Sequence, residues 1–275
     1  MPELPEVETI KRGLEPHLTG RTITDVRFFW DNTAQGMPPA EMTAKLRGQK
    51  VKHLARKGKF LVLRFESGSG LGIHLRMTGK LIICDPTEDP ENDKSARAVL
   101  YLDDGNHVLF SDARKFGRFY WIERGEHPFW QGLGPDALYE LTPEYFRKMV
   151  RQHKRIIKAI LLDQSLIAGV GNIYADESLY RACINPTTKG SDLSDEQADR
   201  LYRALKEVLN ESIEHKGTSY RDYVDELGQR GSFQEMLAVY GQKGRTCQRC
   251  GAEICRAVVA NRGTYYCPKC QPNPQ

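Results

Sequence analysis

Residues 247–270 read CQRCGAEICRAVVANRGTYYCPKC. Two CxxC pairs, Cys247/Cys250 and Cys267/Cys270, stand sixteen residues apart, the spacing of a four-cysteine zinc ribbon. Each pair places two thiolates on one side of a tight turn, and two such knuckles complete a tetrahedron. With no coordination position left open, the implied metal is one structural Zn2+, a staple and not a catalyst. The other cysteines, Cys84, Cys183 and Cys255, read as packing residues. Between the knuckles, RAVVANRGTYY predicts two short strands around Asn261-Arg262-Gly263, with Arg262 at the hairpin tip. Residues 240–275 carry six Lys or Arg against one acid, about +3 once four thiolates and Zn2+ are included.

Outward from this module, the 275 residues allow two or three compact units. A composition of 40% apolar and 28% charged residues is that of a globular chain, and the formal charge of +4 is only mildly basic. No stretch approaches the roughly 18 apolar residues of a membrane span. The start, MPELPEVETI, has no basic region or apolar core of a signal peptide, so a cytoplasmic location is expected. Seven cysteines, four of them in CxxC pairs, favour metal over disulfides in such a compartment.

Val7, Ile10, Leu14 and Leu18 recur at helical spacing, so a first helix is predicted over 4–18, with Pro5 in its opening turn. From 22 to 122 the runs TITDVRFF, FLVLRF, LGIHLR, AVLYL, HVLFS and GRFYWI predict an antiparallel sandwich or barrel, with a hairpin turn at Asp104-Gly105 and an acidic loop over 85–97. Beyond Pro135 the pattern is helical. An apolar stripe runs from Phe146 to Leu161, and 147–158 carries six Lys or Arg and no acid, a basic outer face. A turn at AGVGN precedes a short helix near 173–182. Ser194 with Gln197 forms a capping box for a helix lined by Leu201, Leu205, Leu209 and Ile213, stopped near Gly217. Residues 217–234 read as a polar, flexible loop. A basic helical face beside a basic ribbon suggests a phosphate backbone as partner.

The N-terminus offers chemistry. Loss of the initiator methionine before proline exposes Pro2 as a secondary amine. Such an amine attacks an aldehyde-like carbon and forms an iminium that serves as an electron sink for β-elimination. An α-amino group has a reference pKa of about 7.7–8.0, so part of it is unprotonated near neutrality. A helix N-terminus disfavours the ammonium further, whereas Glu3 and Glu6 oppose that shift. Glu3 is placed to shuttle protons, with Glu6 as an auxiliary acid.

MPELPEVET, ARKGKF (55–60), HLRMTG (74–79), DARKFG (112–117), AGVGNIYADESL (168–179), VYGQKG (239–244) and the four-cysteine finger follow one another along the whole chain. In this order the sequence resembles the bacterial formamidopyrimidine-DNA glycosylases, the MutM or 8-oxoguanine DNA glycosylase family. The resemblance implies an α+β multidomain fold. An N-terminal antiparallel β-sandwich with its helix would span 1–132 and a helix-two-turn-helix domain 133–239, with a lesion-closing loop near 217–234. The zinc-finger β-hairpin would span 240–275.

It further implies a monomeric base-excision repair enzyme acting on double-stranded DNA with oxidised bases or abasic sites. That enzyme excises 8-oxoguanine and formamidopyrimidines through a Pro2 Schiff base and nicks the strand by β,δ-elimination. Pro2, Glu3, Lys59 and Arg262 are then the catalytic groups. Met77, Arg114 and Phe116 match the trio that fills the space of the extruded base. Lys154 and Asn172 match phosphate contacts. Lys94-Ser95-Ala96-Arg97 stands where relatives often carry a histidine-bearing element, and Arg97 is the candidate DNA contact in its place. The competing readings are an endonuclease VIII-like glycosylase for oxidised pyrimidines and a non-catalytic zinc-ribbon DNA-binding protein. PELPE, where those glycosylases tend to begin PEGPE, disfavours the first; Pro2, Glu3 and Lys59 together disfavour the second.

Overall fold

The computed structural model describes residues 2–125, 128–220 and 222–273. The chain divides into two compact units, one comprising residues up to Gln131 with His215–Ser232, the other Gly132–Glu214 with Phe233 onward.

The first unit starts with helix α1 (Leu4–Leu18). Its apolar stripe, Val7, Ile10, Leu14 and Leu18, is buried as the spacing requires. Each such side chain contributes about 1.5–3 kcal/mol of transfer free energy. There follow β1 (Ile23–Phe28), β2 (Ala34–Gln35), α2 (Pro39–Leu46), β3 (Val51–Lys57), β4 (Phe60–Phe65), β5 (Gly70–His74), β6 (Lys80–Cys84), β7 (Ala96–Leu102), β8 (His107–Ser111), β9 (Arg118–Ile122) and α3 (Pro128–Gln131). They form a four-stranded sheet, β1-β7-β8-β6, and a five-stranded sheet, β2-β9-β5-β4-β3, antiparallel except for the β2–β9 pair. One core joins the inner faces of both: Val26, Leu100 and Phe110 from the first, Leu61, Leu71, Ile73 and Phe119 from the second, and the α1 stripe. Phe110 and Phe119 meet across it with ring centroids 5.0 Å apart. The β7–β8 connection contains the Asp104-Gly105 turn, with Gly105 at φ 88°.

The polar segment after the long helix packs with this unit and is held by its own hydrogen bonds. Asp225, buried, accepts backbone N–H bonds from Leu227 and Gln229, and Ile83 N–H donates to the Glu226 carbonyl.

In the second unit the stretch 143–163 forms two helices where one apolar stripe suggested continuity: α4 (Pro143–Gln152) and α5 (Ile157–Leu162). The break has a tertiary cause. Ile156 bridges Lys189 in β fashion, and the amides of Gly190 and Ser191 donate to the carbonyls of Arg155 and His153, holding the chain extended there. Then come α6 (Asn172–Arg181) and α7 (Asp195–Glu214), the latter opened by the Ser194/Gln197 capping box. The hairpin β10 (Cys255–Val259) and β11 (Arg262–Tyr266) closes the unit. No helix among the described residues is long and apolar enough to cross a membrane.

Candidate active site and metal centre

Pro2 is buried immediately ahead of α1. The Glu3 N–H donates to Glu6 Oε2 at 2.8 Å, closing a capping box over the helix start. Glu6 is also buried, and its other oxygen accepts the Thr218 N–H at 2.8 Å. One carboxylate therefore ties the segment after Pro2 to the 215–232 segment of the same unit. Lys59 is the second residue of the two-residue β3–β4 turn, because Lys57 pairs with Phe60. Gly58 leads that turn at φ 57°, the left-handed geometry that such hairpins favour and glycine adopts without strain.

Beside this turn lies His74, which sequence reasoning passed over although it opens the HLRMTG motif. It pairs with Phe60 across β4–β5, with the rings edge to face at 4.5 Å. Burial, aided by the positive charges of Arg76 and Lys59, holds the imidazole down at about 3. Its Nδ1 accepts the Arg76 N–H at 2.9 Å, so the proton sits on Nε2. The result is a neutral N–H donor near Lys59 whose charge is constant over physiological pH. A chain that unfolds regains a histidine titrating near 6.5. Stability from this group is therefore complete above pH 6.5 and is lost as pH falls toward 3, by about 2 kcal/mol at pH 5. All three tryptophans, Trp30, Trp121 and Trp130, lie in this unit and report its unfolding. Between pH 7.5 and 5 the urea midpoint from tryptophan fluorescence should fall less in His74→Asn than in the parent. Equal slopes would show that His74 is not the buried neutral group.

Met77 and Phe116 are 41% and 46% exposed, so neither is a core residue. Met77 stands in the turn after β5 and Phe116 in the connection after β8, and Arg114 lies 5.0 Å from the Phe116 ring centroid. Asp112, buried, organises them. Its Oδ2 accepts the N–H groups of Phe116 at 2.8 Å and Gly117 at 2.7 Å, its Oδ1 accepts the Arg114 N–H at 3.2 Å, and the Thr78 hydroxyl also donates to Oδ1. A Cβ on Gly117 would come within 2.2 Å of Phe110, so the loop closes only with glycine there. Arg97 turns inward. At 9% exposure, its guanidinium donates to the carbonyls of Asp112, Lys94 and Ala96, which makes it a brace for this loop. An arginine inside a strand pattern gives no hint of which way its head points.

In the second unit the outer face over 147–158 is less basic than its composition. Lys158 is buried; Arg147, Arg151 and Arg155 pair with Asp199, Asp195 and Asp163. Lys154 is exposed between α4 and α5. Lys158 Nζ reaches Asp176 Oδ1 and Thr264 Oγ1, each at 2.6 Å, and Asp176 Oδ2 accepts the Tyr265 N–H at 2.9 Å. Burial pushes the Asp176 carboxyl up to about 7 against the opposing pull of Lys158. Asn172, first residue of α6, donates from Nδ2 to the Gly263 carbonyl at 2.9 Å, so it adjoins the residue after Arg262. The hairpin turn is Ala260-Asn261, both at positive φ, and exposed Arg262 is the first residue of the returning strand, not the tip. The left-handed pair at 260–261 sets this register, as type I′ turns do.

The Sγ atoms of Cys247, Cys250, Cys267 and Cys270 all lie within 4.8 Å of one another, with Cys247–Cys270 at 3.8 Å and Cys250–Cys267 at 3.4 Å. A tetrahedron with Zn–S bonds of about 2.3 Å has edges of about 3.8 Å, so the four thiols fit the ion. Burial opposes the Cys247 thiolate, but hydrogen bonds from the Tyr180 hydroxyl and from backbone amides prevail and hold it down at about 6. Cys84, Cys183 and Cys255 lie outside the cluster.

Three family models match consecutive parts of the chain: the formamidopyrimidine-DNA glycosylase N-terminal domain over 1–119, the H2TH domain of the same enzymes over 133–224, and the zinc finger found in FPG and IleRS over 244–273. The chain belongs to the formamidopyrimidine-DNA glycosylase family. The formamidopyrimidine-DNA glycosylase of Heliobacterium modesticaldum is 44% identical over 98% of this chain and 100% of its own, and that of Bacillus cereus 40% identical over 99% of each. The Lactococcus lactis Fpg bound to abasic-site DNA superposes with a TM-score of 0.90 at 32% identity, covering 99% of this chain and 100% of that one. MutM in complex with carbocyclic 8-oxo-G DNA gives 0.91 at 33% identity with the same coverage. As in its family, the finger carries one structural zinc, held by Cys247, Cys250, Cys267 and Cys270.

Proposed function

We infer that this protein is a bifunctional DNA glycosylase and AP lyase of base-excision repair, removing 8-oxoguanine and formamidopyrimidines from duplex DNA. The observation that carries this reading is the likeness to formamidopyrimidine-DNA glycosylases across all three family regions, together with Pro2 at the head of a capped helix. The structural relatives are complexes with DNA holding Fapy-dG, an abasic site or an 8-oxoG analogue. In a bacterial cell the chromosome would be the substrate, and association with the nucleoid belongs to the same proposal.

In this reading the unprotonated Pro2 nitrogen forms a bond to C1′ of the damaged nucleotide as the N-glycosidic bond breaks. The base departs with a proton supplied by the site. Ring opening leaves an iminium whose positive nitrogen accepts the electron pair released when a C2′ proton is removed, and the 3′-phosphate leaves. Glu3 moves protons at the sugar. Lys59 and the Nε2–H of His74 address phosphate oxygens, and Arg262 grips phosphate and assists the second elimination. Met77, Arg114 and Phe116 occupy the space of the extruded base, a flexible apolar wedge, a donor for the orphaned partner base and an aromatic stacking face. Lys154 and Asn172 fit phosphate contacts that position the duplex without reading sequence.

Borohydride trapping on matched duplexes tests this reading. A covalent adduct should form faster on 8-oxoguanine opposite cytosine than on an oxidised pyrimidine. The reverse preference would assign the chain to the endonuclease VIII-like branch.

A further inference from the structure

Among the described residues two ion pairs are fully buried and unused by the chemistry above: Lys158–Asp176 in the second unit, and Glu8–Arg56 in the first, beside the turn that carries Lys59. Glu8, on α1, and Arg56, at the end of β3, each have a side chain with 0% exposure. Arg56 Nε donates to Glu8 Oε2 at 2.8 Å, while Arg56 Nη1 donates to the Gly58 carbonyl at 2.9 Å. On the helix side, the Glu8 carboxylate is held further by Arg12 at 2.9 Å and Lys11 at 3.4 Å. A buried pair of this kind is a poor stabiliser, because desolvating two charges offsets their attraction and matched apolar side chains often do as well. Its geometry is the informative part. The guanidinium is a rigid plane, so its two donors fix the Gly58 oxygen at a set distance from α1. The Gly58 carbonyl and the Lys59 nitrogen share one planar peptide group. Clamping that oxygen therefore sets the direction in which the Lys59 side chain leaves the turn.

We propose that Glu8 and Arg56 are positioning residues that link the helix headed by Pro2 to the turn bearing Lys59, so that amine and ammonium address the same nucleotide. This rests on the reading of Pro2 and Lys59 given above. The link runs from α1 to the β3–β4 turn within one unit.

The test is a double-mutant cycle in the full-length, zinc-loaded protein, measured as the single-turnover rate on an 8-oxoguanine duplex. Arg56→Lys keeps a cation for Glu8 but loses the fork, and should slow the reaction about tenfold or more with duplex Kd little changed. In the Lys59→Ala background the same substitution should change nothing further, because its effect runs through Lys59. A paired variant, Glu8→Leu with Arg56→Met, removes both fully buried charges and leaves Arg12 and Lys11, which are not fully buried, with access to solvent. It should keep its unfolding midpoint and still show the rate loss. Losses that multiply across the cycle, or a paired variant at full rate, would overturn the proposal. Full activity in Lys59→Ala alone would overturn the reading of Lys59 and the proposal with it, an outcome visible in that single variant.

Discussion

Cys267→Ala is expected to release zinc and lower affinity for lesion-bearing duplex by about a hundredfold or more, the loss of two charge-assisted contacts at about 1.5–3 kcal/mol each. The finger has almost no core of its own. Its cluster consists of Tyr180, Val239, Cys247, Ile254 and Cys267, and two of those five are the zinc ligands themselves. So small a cluster cannot repay the entropy of ordering the hairpin, and metal binding supplies the folding free energy, about 10–16 kcal/mol in isolated zinc-finger peptides. Without the ion, β10–β11 loses the register that presents Arg262, and Thr264 no longer meets Lys158. The groups around Pro2 lie in the other unit and should keep their fold. Zinc content, duplex Kd and tryptophan fluorescence on one sample separate these effects. A zinc-free variant that still bound duplex tightly would reduce the finger to a staple.

A short extension that precedes Pro2 and resists processing should abolish covalent trapping and lower strand cleavage by about 10³-fold or more, as loss of a nucleophile does in covalent catalysis. In an amide the nitrogen lone pair is delocalised into the carbonyl, so it cannot attack C1′. The groups of the second unit proposed to contact phosphate are untouched, so duplex affinity should persist. Liberating Pro2 with a specific protease should restore both trapping and cleavage. An adduct formed by the blocked protein would place the nucleophile elsewhere, and Lys59 would be the first residue to substitute.

Local patterns carried much of this. The spacing of Val7, Ile10, Leu14 and Leu18 marks α1 from Leu4 to Leu18 because one buried stripe at helical period admits little else. The β-rich runs between 22 and 122 give strands, but their order in two sheets, with β7 beside β1 and β9 beside β5, depends on pairings far apart in sequence. The stripe over 143–163 misleads for a related reason. A hydrophobic pattern records which side faces the core and says nothing of backbone amides from residues 190–191 that interrupt the helix. Arg97 and Lys158 show the same gap for charge. Composition counts both as surface cations, yet one braces the loop below Arg114 and the other is buried against Asp176.

By itself, then, the sequence determined the four zinc ligands, the proline that follows the first methionine, and the family. These depend on residue type at short fixed spacing, and a CxxC knuckle or a proline after methionine carries its chemistry within a few bonds. Only the tertiary structure decided what holds each group in place. Glu6 joins the helix start to Thr218, Asp112 gathers Arg114 and Phe116, His74 is kept neutral beside Lys59, and Arg56 spans Glu8 and Gly58. The physical reason is common to all four. A buried polar group must find its partners wherever the fold brings them, and each of the four has one far along the chain that no local pattern encodes: Thr218 for Glu6, Thr78 for Asp112, Phe60 for His74 and Glu8 for Arg56.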